Sequence, residues 1–247
     1  MIGLGTLINM GAILVGSAVG VAVGSRLPER TRDLITSALG LVVLVVAALN
    51  IVALTDADWQ ADVGSSAPLL IVLGSVVIGG VIGSLLRVEQ RMEGVGGWLQ
   101  RRMSRTSGSE ARQRFIEGFV DASLLFVIGP LAILGALSDG LGQGIDQLAL
   151  KSTLDGVASV AFAATLGWGV AASAISVGIV QGIFTLIGVG VGAVVAASVI
   201  ASITATGGIL LIGVGLRLLR VTNLAVGDLL PALIVAPILT WLVSLWM

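Results

Sequence analysis

The sequence predicts an all-α protein, a polytopic transmembrane helix bundle of about eight spans, on three observations. Hydrophobic residues make up 56% of the 247 positions and charged residues only 11%, far too little polar matter to clothe a soluble domain of this size. The apolar residues fall into blocks of about 20, the length a helix needs to cross about 30 Å of hydrocarbon. Arginine, finally, gathers in alternate loops. Alternating ten-residue segments of the kind that build a membrane β-barrel are not present.

The spans read as about 4–24, 34–54, 67–86, 117–137, 154–177, 181–202, 205–220 and 229–246. The opening Met1-Ile2-Gly3-Leu4-Gly5 lacks the basic start and cleavage site of a signal peptide, so the first block is expected to stay as a spanning helix. Within 156–203 only Gln181-Gly182 interrupts the apolar run, and the break between the fifth and sixth spans is expected there. The seventh span is short, which leaves a broken or half-buried helix open. Gly129-Pro130 should kink the fourth, because proline removes a backbone donor.

Arg26, Arg30 and Arg32, then seven arginines between Arg87 and Arg114, then Arg217 and Arg220 lie in one set of loops. The opposite loops carry Asp56, Asp58, Asp62, Asp139 and Asp146 with Lys151 as their cation. The positive-inside rule then makes the arginine loops cytoplasmic and puts both termini outside. The loop 87–118 reads as a solvated, topogenic segment, with contact to anionic lipid as its functional alternative. It has little of the aromatic interleaving that nucleic-acid binding uses.

The chain reads as a single membrane domain, 1–247, with an internal repeat. Ile35-Thr36-Ser37-Ala38-Leu39-Gly40 matches Ile203-Thr204-Ala205-Thr206-Gly207-Gly208 at an offset of 168, which also lays Gly20 on Gly188 and Gly24 on Gly192. Pro68-Leu69-Leu70-Ile71-Val72 meets Pro231-Ala232-Leu233-Ile234-Val235 at an offset of 163. The units would be 1–86 and 181–247, flanking the loop 87–118 and a central hairpin, 119–180. With spans 1–3 and spans 6–8 running in opposite senses, this is an inverted repeat, a common basis of transporters.

The chain has no Cys, His or Tyr. Disulfides, thiol nucleophiles, His-ligated metals and Ser-His catalysis are thereby excluded. No glycine run continues into Gly-Lys-Ser/Thr, so no nucleotide loop is expected. No catalytic residue or cofactor is expected and the chain is not read as an enzyme; no metal site is singled out, though binding by carboxylate and carbonyl oxygens stays open.

Thirty-five glycines are the next feature. Gly16, Gly20 and Gly24, Gly79 and Gly83, and Gly188 and Gly192 recur at spacings of four, which lets helices approach closely in lipid. Spans 1, 3 and 6 should therefore be central. These faces also permit a homodimer without requiring one.

Ionisable groups at membrane depth are functional candidates. Asp155 is the first, with Lys151 one turn before it and Ser152 and Ser159 on its face; a structural ion pair is the plainer alternative. Asp121 lies near the cytoplasmic end of the fourth span. Asn9, Asn50, Lys151 and Asp155 form an outer polar set, and Asp121, Gln181, Arg217 and Asp228 an inner one. Each is also a candidate for plain interhelical hydrogen bonding.

Gly5-Thr6-Leu7-Ile8-Asn9, Leu27-Pro28-Glu29-Arg30, Gly135-Ala136-Leu137-Ser138-Asp139-Gly140, Lys151-Ser152-Thr153-Leu154-Asp155, Gln181-Gly182, Thr206-Gly207-Gly208 and Leu230-Pro231-Ala232-Leu233 resemble the bacterial YdfK/YqgA-like membrane proteins, the family termed domain of unknown function 554. The resemblance runs over nearly the whole chain. It implies a multi-pass protein of the bacterial cytoplasmic membrane, without an activity to carry over. It singles out Asn9, Lys151, Asp155 and Gln181, while Asp121 and Asp228 depart from its pattern. The expected partners are the lipid bilayer and an unidentified small solute or ion, with no nucleic acid. A secondary transporter or channel is the leading functional expectation. A structural or regulatory protein assembling through its glycine faces is the alternative.

Overall fold

Lipid supplies no hydrogen-bond partners, so a chain this apolar satisfies its backbone within helices. The computed structural model describes residues 2–103, 108–191 and 196–246, and its regular elements are all helical. They are α1 (Leu4–Gly24), α2 (Glu29–Ile51), α3 (Ala57–Val63), α4 (Ala67–Leu86), α5 (Val88–Met103), α6 (Ser109–Val127), α7 (Pro130–Gly140), α8 (Asp146–Leu166), α9 (Gly169–Val191), α10 (Ala197–Leu218) and α11 (Ala232–Ser244), with short 3₁₀ turns at Val52–Thr55 and Val226–Leu229. Among the described residues, six helical segments are long and apolar enough to cross a membrane, or seven if the bent α6–α7 pair counts as one.

That bend measures 64° and falls at Gly129-Pro130, where the sequence predicts it. Other boundaries differ from expectation. The helix break inside 156–203 is not at Gln181-Gly182 but at Gly167-Trp168. Gly167 has φ +75°, a left-handed conformation that costs glycine little, and its N–H closes α8 onto the carbonyl of Ala163. Gln181-Gly182 lies in the middle of α9, because one glycine does not stop a helix held by its neighbours. A second break precedes Ala197, so the seventh span becomes the 22-residue α10 rather than a short one. The loop 87–118 is largely helical: α5 and the start of α6 occupy it, and only the stretch 104–107 of its arginine-rich centre lies outside the described residues.

The chain divides into two units. The first takes residues 1–39, 92–127 and 131–193. Its centre is the seam between α1 and α8, where Cβ atoms at Gly16, Gly20 and Gly24 would overlap carbonyl oxygens of Gly156, Val160 and Ala164 in turn. Rising numbers meet rising numbers, so these helices run parallel. Gly178 of α9 packs on Met10, Gly169 on Phe115, and Gly188 on Leu137 and Gly140. Hence α9 runs parallel to α6–α7 and, being joined to α8 by a two-residue turn, antiparallel to α1.

The second unit takes residues 40–91, 128–130 and 194–247. Gly79 and Gly83 of α4 meet Ala232 and Asp228, an antiparallel contact with α11 and the turn before it. Gly40, Leu44, Ala47 and Ile51 of α2 meet Leu219, Gly215 and Gly208 of α10 in falling order, again antiparallel. Asp56 accepts the N–H of Trp59 (2.9 Å) and caps α3, which folds Trp59 and Val63 onto Ile71, Val72, Ala201 and Ala205.

Helices approach closely at Gly16, Gly20, Gly24, Gly79, Gly83 and Gly188, but the helices that carry these glycines are not enclosed on every side. Among the six membrane-length apolar segments of the described residues, α10 is the most enclosed, with 72% of its apolar window buried, against 33%, 28% and 44% for α1, α4 and α9. A glycine stripe serves one face only. The other faces carry Leu7, Val15, Leu85 and Leu186, all more than 60% exposed, as lipid contact allows. Gly192 lies outside the described residues.

Gly83→Ala places its methyl against the Asp228 backbone and should cost about 1–3 kcal/mol. Gly182→Ala, with open space around it, should be neutral or stabilising by up to about 1 kcal/mol. Denaturation of the purified protein in detergent checks both.

Candidate polar site on the first helix

Buried charge in the first unit centres on Asp155, which lies nine residues beyond the start of α8 and so about 13 Å along its axis. Lys151, one turn earlier, donates to Asp155 Oδ1 (2.9 Å) and is 2.7 Å from Oδ2. Across the glycine seam, Asn9 Nδ2 donates to the same Oδ2 (3.0 Å). Gly156 allows this contact, since it lets Ala12 of α1 lie flat against α8. The Ser159 hydroxyl donates back to the Asp155 carbonyl (2.6 Å) and Ser152 to that of Leu148 (2.6 Å). Asn9 and Ser159 are wholly buried, and Lys151 and Asp155 nearly so.

Polar atoms in and near this cluster are left without partners. Asn9 Oδ1 has no hydrogen-bond partner among the described residues, nor have Thr6 Oγ1, Thr185 Oγ1 and both amide atoms of Gln181. Leaving a buried polar atom unpaired costs about 1–3 kcal/mol, so these five atoms are a notable burden on the first unit.

The structure thus joins Asn9, Lys151, Asp155 and Ser159, and it regroups the rest. Gln181 leaves the inner set. The break at Gly167 moves it to mid-helix, one turn past the Gly178–Met10 contact and close to the depth of Asn9. Asp121 is buried in α6. Asn50 lies on α2 in the second unit, half-buried.

Arg217 and Asp228 come together in the second unit through Glu89, which sequence reasoning did not single out. Glu89 pairs with Arg217, accepts the Gly227 N–H at Oε2 (2.6 Å) and donates its own N–H to Asp228 Oδ1 (2.8 Å). Asp139 was likewise read only as a loop acid. It accepts the N–H groups of Gly3 (3.1 Å) and Gly5 (3.0 Å), placing a carboxylate on the positive end of α1. One signal for it existed: α1 opens with Gly3-Leu4-Gly5, and no side chain of its own caps it.

An all-helical chain with several membrane-length apolar helices and buried ionic groups between them is a polytopic integral membrane protein. A family model described as "Protein of unknown function (DUF554)" matches residues 4–241, and the chain belongs to that family. It is 29% identical over 239 residues to the uncharacterized membrane protein YdfK of Bacillus subtilis (strain 168), covering 97% of this chain and 96% of that one. It is 28% identical over 233 residues to the uncharacterized protein YqgA of Escherichia coli (strain K12), covering 94% of each. No solved structure matches.

Lys151→Met leaves Asp155 charged and held by Asn9 alone, and should destabilise the protein by about 3–5 kcal/mol. Adding Asp155→Leu should recover only part of that loss, since an apolar pair replaces the stranded charge but leaves the buried Asn9 Nδ2 without its acceptor. A double-mutant cycle of unfolding in detergent measures both.

Proposed function

We propose that this chain is a small secondary transporter or channel for an ion or small solute, using the Lys151–Asp155–Asn9 cluster in its pathway. The buried, hydrogen-bonded ion pair carries this reading. Charges at membrane depth are costly, and they mark substrate and ion routes more often than they build stability. Ser159, Gln181 and Asp121 are the further pathway candidates of the first unit, and Asn50 and Arg217 are candidates of the second by itself. Transport rather than catalysis is the role, and no metal or cofactor is assigned.

The internal repeat supports the reading. Shifting α2 by 168 gives 197–219, against the observed Ala197–Leu218, and shifting α1 gives 172–192, against Gly169–Val191. Each pair that the offsets match also packs antiparallel within its own unit: α1 with α9 in the first, α2 with α10 and α4 with α11 in the second. An inverted duplication requires that sense. Eight crossings follow if α8, which holds the ion pair, and bent α6–α7 are counted with the six long apolar helices. The membrane is then the bacterial cytoplasmic membrane, with both termini outside by the positive-inside rule.

Asp155→Asn keeps a group of the same size that can still bond to Asn9 and Lys151. In proteoliposomes it should abolish solute- or ion-driven flux while the protein stays folded. Normal flux from a well-folded Asp155→Asn protein would remove the assignment. The chain has no native cysteine, so a single cysteine at either end can be labelled from outside without background. Labelling of both ends only after permeabilisation would refute the orientation.

A further inference from the structure

We infer that Thr6, Asn9, Gln181 and Thr185 form a binding site for a small alkali cation in the first unit. This deepens the transport reading and rests on it for its role, though not for its chemistry.

Backbone contacts bring the four residues together. Met10 packs on Gly178, and α1 and α9 run antiparallel. One turn before Met10 therefore lies opposite one turn after Gly178, which sets Thr6 level with Gln181 and Gly182. Thr6 shares the face of Met10, four residues apart, and Gln181 and Thr185 share the face of Gly178. At the next turn Gly140 lies against the Thr185 backbone. Its neighbour Asp139 holds the N–H of Gly5, which adjoins Thr6. Asn9 closes the other side through its bond to Asp155.

The unmet chemistry favours a cation. At this place four neutral oxygens stand without a partner among the described residues, Thr6 Oγ1, Asn9 Oδ1, Gln181 Oε1 and Thr185 Oγ1, beside a single unpaired amide nitrogen, Gln181 Nε2. Their residues are 6%, 0%, 1% and 4% exposed. Hydroxyl and amide oxygens are hard donors suited to alkali ions. The nearby formal charges are Asp139 and Asp155 against Lys151, an excess of one negative charge that a single monovalent cation neutralises. A divalent ion would leave the group net positive and is usually held by carboxylates. Here both carboxylates are already engaged, one by a helix end and the other by Lys151 and Asn9.

The test measures binding without flux. Thermal unfolding of the purified full-length protein in detergent is followed in NaCl, KCl or LiCl against choline chloride at constant ionic strength. A ligand that binds the folded form raises apparent stability with its concentration. A rise with at least one alkali salt over choline is expected. Gln181→Leu and Thr185→Val should each abolish it, while Thr240→Val, which removes an unpaired buried hydroxyl in the second unit, keeps it. No alkali-specific rise in the unaltered protein would overturn the site, as would a rise that survives both substitutions. A salt-independent gain in melting temperature in both variants, with no alkali response in the parent, would mean that the oxygens are merely unpaired or hydrated, and would also overturn it. A cation response without flux defeats only the transport reading; flux without a cation response defeats only this site.

Discussion

Close contact between helix backbones is the constraint on which the structure depends. Lipid is as apolar as the side chains, so burying leucine against leucine gains little. What remains is dispersion at short range and the hydrogen bonds that short range permits. The α1–α8 seam shows this directly: three glycines in register sit where carbonyl oxygens of the partner helix leave no room for a methyl group. The Asn9–Asp155 bond crosses the same pair of helices.

Buried charge is handled similarly in both units. Each of these anions is shared among several donors: Lys151 and Asn9 for Asp155, two backbone N–H groups for Asp139, and a cation with a backbone N–H for Glu89. Asp139 sits on the first turn of α1, and Glu89 on the turn at Gly227 while pairing with Arg217. Distributing a carboxylate over several donors lowers the cost of taking it out of water. The neutral groups are treated unequally. Ser75, Ser152, Ser159 and Thr204 return their hydroxyls to carbonyls one turn back, whereas Thr6 and Thr185 do not.

Much of this was legible in the sequence. Apolar block length gave most of the membrane helices, and Gly129-Pro130 gave the bend. Residue spacing gave the Lys151–Asp155 pair, because four positions along a helix is a local relation. The glycine spacing marked the seams but overstated their enclosure, as a stripe fixes one side of a helix and says nothing of the other. The α8–α9 turn was misplaced because a polar residue looked a better break than a lone glycine among small residues. Glu89, Asp139 and Thr185 were missed for a common reason. Each acts across more than a hundred residues or through an unmet bond, and no local pattern encodes either.

The Asp139 contact bears on how the protein is made. Its carboxylate leaves the ribosome well over a hundred residues after Gly3 and Gly5, and Asp155 later still after Asn9. During elongation the first helix therefore waits at the translocon with an uncapped start and a lone amide among acyl chains. Its apolar length alone must hold it there until the middle of the nascent polypeptide arrives. Truncated products that stop short of α8 would leave that amide without its partner.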